Sequence, residues 1–122
     1  MIEQLAFKVN VNPALVRRGR RLSTVFLIEI GERAFHVTVD QGRITGVEEG
    51  PFIMRAWSFA IRAPEAVWEK FWQPHPDPGF LDIFAMNRFG HCKVEGDINV
   101  LLSHLRYVKD VLATPRRPRI GD

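Results

Sequence analysis

The chain has 122 residues, of which 46% are apolar and 25% charged, which predicts one folded domain and excludes a disordered polymer. No apolar run approaches the roughly 20 residues of a membrane-spanning helix. The net charge of +3 hides two acid-free basic runs, Arg17, Arg18, Arg20, Arg21 and Arg116, Arg117, Arg119, outside which ten basic residues face fourteen acids. A domain body of acidic balance argues against a specific nucleic-acid binder, which would spread its basic residues over a folded face.

The start MIEQLAFKVN has neither the basic region nor the apolar stretch of a secretory signal. With Cys92 as the single cysteine no internal disulfide can form, and a cytoplasmic location is expected. Leu5, Phe7, Val9 and Val11 alternate with polar or small neighbours, which predicts a strand ended by Asn12-Pro13. An arginine-rich loop to residue 22 follows. Thr24 to Ile30, Arg33 to Asp40 and Arg43 to Glu48 then form a three-strand meander turning at Gly31-Glu32 and Gln41-Gly42.

After Gly50-Pro51, residues Arg55 to Arg62 read as a fourth strand with Trp57, Phe59 and Ile61 on one face. Ala63-Pro64 opens a helix to about Gln73, with Val67, Trp68, Phe71 and Trp72 on its apolar side. The alternate prolines of QPHPDPG forbid helix and central strand. A short helix around Phe80 to Arg88 and a strand over His91 to Glu95 come next. Asp97 caps one long final helix through Ile98, Leu101, Leu102, Leu105, Val108 and Leu112. The fold class is therefore α+β, a largely antiparallel sheet of five to six strands covered on one face by helices. Residues 23–113 are its core and 114–122 a flexible basic tail.

Catalytic and metal constellations are thin. Ser58 and Ser103 lie in no nucleophile elbow, and His91 and Cys92 are adjacent on a strand, so their side chains diverge. His75, Asp77 and Asp82 could ligate a metal, but no further ligand falls at recognisable spacing. Glu48-Glu49 reads as a solvated strand end rather than an acid and base pair, and His36 and His104 as surface histidines on polar faces. No phosphate-cradling glycine pattern occurs. No catalytic residue, metal or cofactor is expected. What is unusual is aromatic bulk between residues 57 and 84, which makes either a tightly filled core or an aromatic-walled cavity.

Taken in order, TVFLIEI, GERAFHVTVD and GRITGVEEG, then AWSFAIRAPEAVWEKF, HPDPGFLDIF and GHCKVEGDINVLLSHL resemble the sterol carrier protein 2 domain over Ser23 to Ala113. Gly90, Val94, Gly96 and Asp97 stand where that family's closing strand and last helix place theirs. The resemblance implies a non-catalytic carrier with a hydrophobic tunnel between sheet and helices for a fatty acid, sterol or acyl-CoA. Tunnel positions assigned from the pattern are Phe26, Ile28, Phe35, Val37, Trp57 and Phe59 from the sheet, and Trp68, Phe71, Trp72, Phe84, Leu101, Leu105 and Val108 from the helices. Two departures are expected. Family members begin with amphipathic helices, whereas residues 1–11 here read as a strand, and the proline loop is longer. A filled cavity would instead make the domain a homo-oligomer or a module that binds a partner protein, with the N-terminal strand and arginine-rich ends as contacts. An enzyme using His75 or Asp77 is the third possibility weighed.

Overall fold

The alternation between residues 23 and 49 forms a three-stranded meander in the computed structural model, which describes residues 2–53 and 55–116. Strands β1 (Ser23–Ile30), β2 (Arg33–Asp40) and β3 (Arg43–Glu49) pair antiparallel, β1 with β2 from Ser23 opposite Asp40 to Ile30 opposite Arg33. Gln41 and Gly42 both take positive φ, at 50° and 85°, as the tight turn between β2 and β3 requires.

β4 (Phe59–Ala63) then adds to the free edge of β1 in parallel, and β5 (Lys93–Gly96) pairs antiparallel with β4, giving the order β3-β2-β1-β4-β5. The sheet is thus five-stranded, mixed and mostly antiparallel. Because β3 ends at the same end of the sheet as β1, the chain from 50 to 58 must cross the sheet before β4 can start. It does so as a strap over the face away from the helices, with the Phe52 ring 3.8 Å from that of His36 on β2. The fourth strand therefore begins only at Phe59, and the reading of Arg55–Ser58 as strand is corrected.

The N-terminal strand is also corrected. Ile2–Gln4 is a 3-10 turn, followed by α1 (Leu5–Asn10) and α2 (Pro13–Arg18). The alternating set contains a helical pair, Leu5 and Val9, four residues apart, and that pair is buried while Phe7 and Val11 are exposed. Asn12 caps α2, its Oδ1 accepting from the Leu15 amide at 3.2 Å with Pro13 in the first turn. Asn10 ties α1 to the sheet: its amide nitrogen donates to the Ile44 carbonyl and its oxygen accepts from the Ile44 amide, both at 2.9 Å. Both peptide groups are thereby satisfied at the β3 edge. Arg17 and Arg18 close α2 rather than standing in a loop, and Arg18 pairs with Asp110.

Helices α3 (Glu65–Phe71), α4 (Ile83–Arg88), α5 (Ile98–Ser103) and α6 (Leu105–Ala113) join α1 and α2 in a layer over the inner face of the sheet. Phe26, Ile28, Phe35, Val37, Phe59 and Ile61 on that face meet Leu5, Val9, Trp68, Phe71, Leu101, Tyr107 and Val108 in one buried cluster. Asp97 caps α5 as expected, accepting from the Val100 amide at 3.2 Å. The single long helix is corrected to two, interrupted at His104. No glycine or proline marks the break. After it, α6 carries Tyr107 to the β2–β3 turn, where its hydroxyl donates to the Gly42 carbonyl at 2.6 Å. Gly19 lets the same ring lie on the end of α2, for a Cβ there would overlap it.

The tail reading is corrected in part. Pro115 is buried, and Arg116 donates to the Phe71 carbonyl at 3.0 Å and the Leu81 carbonyl at 3.2 Å. The rest of the tail, 117–122, lies outside the described residues.

Candidate ligand-binding cleft

Helix α3 and the turn that ends it place Glu65, Trp68, Glu69, Trp72 and Gln73 at intervals of three and four, on one side. That side borders a half-open cleft of about 410 Å³, completed by Ile2 and Glu3 from the 3-10 turn and Ile30 and Arg33 from the β1–β2 end. The floor is Ile2, Ile30, Trp68 and Trp72, all buried. Both indoles have their polar atom used elsewhere. The Trp68 Nε1 donates to the Glu29 carbonyl at 2.9 Å and the Trp72 Nε1 to the Leu112 carbonyl at 2.8 Å. The two indoles are tilted against each other, 5.2 Å between ring centres and 30° between planes, with Trp68 fully buried behind Trp72.

The rim is polar. Arg33 forks onto Glu49, Nε at 3.1 Å and Nη2 at 2.9 Å. These hydrogen bonds, with the opposite charges, hold the Glu49 carboxyl below its usual range and raise the guanidinium above its own, Glu3 and Glu65 adding to the latter. Glu65 and Glu69, both exposed, have no ion-pair partner among the described residues.

Ten of the thirteen expected tunnel residues face the interior between sheet and helices: Phe26, Ile28, Phe35, Val37, Phe59, Trp68, Phe71, Trp72, Leu101 and Val108. There they pack on one another, Phe26 stacked on Phe59 at 5.0 Å and Trp68 edge-on to Phe71 at 5.7 Å. Three are placed otherwise. Trp57 belongs to the strap and lies on the outer face under the Arg62 guanidinium at 5.7 Å, because the alternation that fixes facing starts after it. Phe84 is 37% exposed, since α4 buries Ile83 and Met86 instead. Leu105 is half-buried at the break between α5 and α6. Sequence reasoning missed the rim altogether. The spacing of Glu65, Glu69 and Gln73 with the two tryptophans was a signal for it, whereas Ile2 required the helical reading of the N-terminus.

His36 is not a surface residue. It is 4% exposed beneath Phe52, and its Nε2 has no hydrogen-bond partner among the described residues. Burial, then the Arg55 charge, pushes its pKa down, against the opposing charge of Glu48. It lines a second space of about 310 Å³ with Leu27, Ala34, Phe52, Arg55 and Trp57.

The remaining polar candidates have structural partners or lie apart. Glu48 pairs with Arg55 at 2.7 Å and Glu49 with Arg33, so the two carboxylates do not act together. Cys92 is buried, its Sγ donates to the Ile83 carbonyl at 3.5 Å, and burial pushes the thiol up to about 11. The His91 ring stacks on Phe80 at 4.3 Å. Asp82 caps α4 and pairs with Lys109 at 3.0 Å; burial opposes its ionisation, but the Ala85 amide and the lysine hold its pKa below the usual value. His75 and Asp77 are exposed. Among the described residues no group of three His, Cys, Asp or Glu could hold a metal ion, and no helix is long and apolar enough to cross a membrane.

This α+β arrangement is that of the sterol carrier protein 2 fold. The chain matches a crystal structure of sterol carrier protein 2 with a TM-score of 0.75 at 14% identity, covering 96% of this chain and 94% of that one. It also matches the solution structure of a conserved hypothetical protein of Thermus thermophilus, described as possibly a sterol carrier protein, at 0.69 and 15% identity over 92% and 81% of the two chains. A third match is a UbiJ-SCP2 ubiquinone synthesis protein, at 0.59 and 20% identity over 89% and 90%. No family model matches the sequence, and no curated protein matches it significantly.

Proposed function

We propose that the domain is a non-catalytic carrier of an apolar, lipid-like small molecule, admitted between α3 and the sheet. The observation that carries this reading is the half-open cleft of about 410 Å³ beside α3, bordered by Ile2, Ile30, Trp68 and Trp72 with both indole nitrogens bonded internally. Burial of such surface stabilises a complex by about 25 cal/mol per Å² removed from water. The structural neighbours support it, one described as a sterol carrier protein and one as a ubiquinone synthesis protein. The single buried free thiol supports a cytoplasmic location.

A second reading, an interaction or dimerisation module with a filled interior, draws on the mutual packing of Phe26, Phe59, Trp68 and Phe71. Native mass spectrometry beside the denatured mass separates the two. A copurified lipid released into organic solvent supports the carrier, and a mass that stays bare after incubation with a lipid mixture, in a stable oligomer, supports the module.

A further inference from the structure

The strap partly encloses a second space, on the face of the sheet away from the helices, that the carrier reading does not use. Leu27 of β1 with Ala34 and His36 of β2 form its base, and Phe52, Arg55 and Trp57 of the strap its walls, around about 310 Å³. His36, 4% exposed, is the polar residue of that base. Its Nε2 is shut off from water and has no hydrogen-bond partner among the described residues. A buried polar atom left unpaired costs free energy comparable to a lost hydrogen bond, so an imidazole that folding leaves unsatisfied points to a partner from outside the chain. The tryptophans divide in the same way. Trp68 and Trp72 donate to backbone carbonyls, whereas the Trp57 indole nitrogen has no acceptor among the described residues.

The charges around this space are already matched. Arg55 pairs with Glu48 at 2.7 Å, and the Arg62 guanidinium over Trp57 is held by Glu29 and Glu95, so a charged ligand meets no unopposed charge. A hydroxyl suits the unpaired nitrogen, because it donates to or accepts from Nε2 in either tautomer of a neutral imidazole. A flat ring suits the Phe52 and Trp57 walls. The volume stands at the low end of the roughly 300–1,000 Å³ of small-molecule sites, which suits one or two fused rings. We propose that the space under the strap binds a small, uncharged aromatic molecule bearing a hydroxyl group, with that hydroxyl bonded to His36 Nε2. Phe52, whose ring lies 3.8 Å from the imidazole, belongs to the strap and not to the sheet, and it is the wall that shifts to let the hydroxyl reach the nitrogen. The site is independent of the carrier reading, which concerns the cleft beside α3.

The experiment titrates isotope-labelled protein with β-naphthol, its apolar isostere β-methylnaphthalene and the charged β-naphthoate, followed by NMR of the backbone amides and of the histidine ring nitrogens. β-Naphthol should shift the His36 ring nitrogens and the amides of Ala34, His36, Phe52 and Trp57, with an affinity there about fivefold or more above that of either other compound. In His36→Phe, which keeps a ring and removes the nitrogen, β-naphthol should bind at these residues no tighter than β-methylnaphthalene. Shifts confined to residues of the α3 cleft, or no shifts at all, would overturn the site. Equal binding of the isostere to the wild type, or a preference for the hydroxyl that survives in His36→Phe, would overturn the role of Nε2 and the ligand class with it. The comparison of the three compounds on the wild type decides the matter even where the variant does not fold.

Discussion

The two faces of the sheet solve the same burial problem by different means. On the inner face the middle residues of β1, β2 and β4 are apolar and meet helices, so Phe26, Ile28, Val37, Phe59 and Ile61 are fully enclosed. On the outer face the row across the strands runs Glu48, His36, Leu27, Ala60, Glu95, and one irregular strap supplies the cover. Leu27 is buried there at 5% exposure, yet charges crowd its neighbourhood: Arg62 pairs with Glu29 and, at 3.4 Å, with Glu95, which also meets Lys93 at 3.3 Å. A layer of helices excludes water over a whole face. A strap excludes it only along its path, and polar residues can be kept beside it.

The contrast breaks most severely at Phe59. Phe59→Asp places a charge where no water or partner reaches, costing more than about 4 kcal/mol, and the variant should show no cooperative thermal transition by circular dichroism. Next in size, Phe26→Ala should lose about 3–5 kcal/mol in urea unfolding. Phe52→Ala, half-buried in the strap, should lose only about 1–2 kcal/mol by the same measurement. If Phe52→Ala cost as much as Phe26→Ala, the strap would have to count as a second core layer.

A pH comparison sharpens the difference further. With its pKa lowered in the folded state, His36 stays neutral where the unfolded chain takes up a proton, so stability falls as pH drops below about 6.5. The wild type should lose more melting temperature between pH 7.5 and 5 than His36→Phe, in which the ring is kept and the proton site removed. Parallel losses would show that the outer face does not sense acid through this residue. Smallest of all, Arg18→Gln, which breaks a half-exposed pair with Asp110, should shift stability by less than about 1 kcal/mol.

The inner face was legible in the sequence because alternation in TVFLIEI and RAFHVTVD has one geometric solution, and the start of α5 because Asp97 announces its cap, although the break at His104 was not. The N-terminus was not, since Leu5, Phe7, Val9 and Val11 satisfy a strand period and, through Leu5 and Val9, a helical one as well. His36 and Trp57 misled for a shared reason. Which face a residue takes follows from the strand, but whether that face is covered depends on a crossing segment without periodicity. The cleft is assembled from residues 2–3, 30–33 and 65–73, and only the last group shares an element whose spacing could be read.

Parallel pairing of β4 with β1 has a consequence for the order of assembly as the chain leaves the ribosome. β1, β2 and β3 are joined by two-residue turns and can pair as soon as they emerge, whereas Leu27 meets Ala60 only after the strap has been synthesised and laid across the sheet. Throughout that interval β1, the most apolar strand, presents one open row of peptide groups next to Val25 and Leu27. The nascent protein passes through a stage with an adhesive edge that the finished one conceals, and the speed with which residues 50–63 cross and dock sets how long that edge is exposed to other chains.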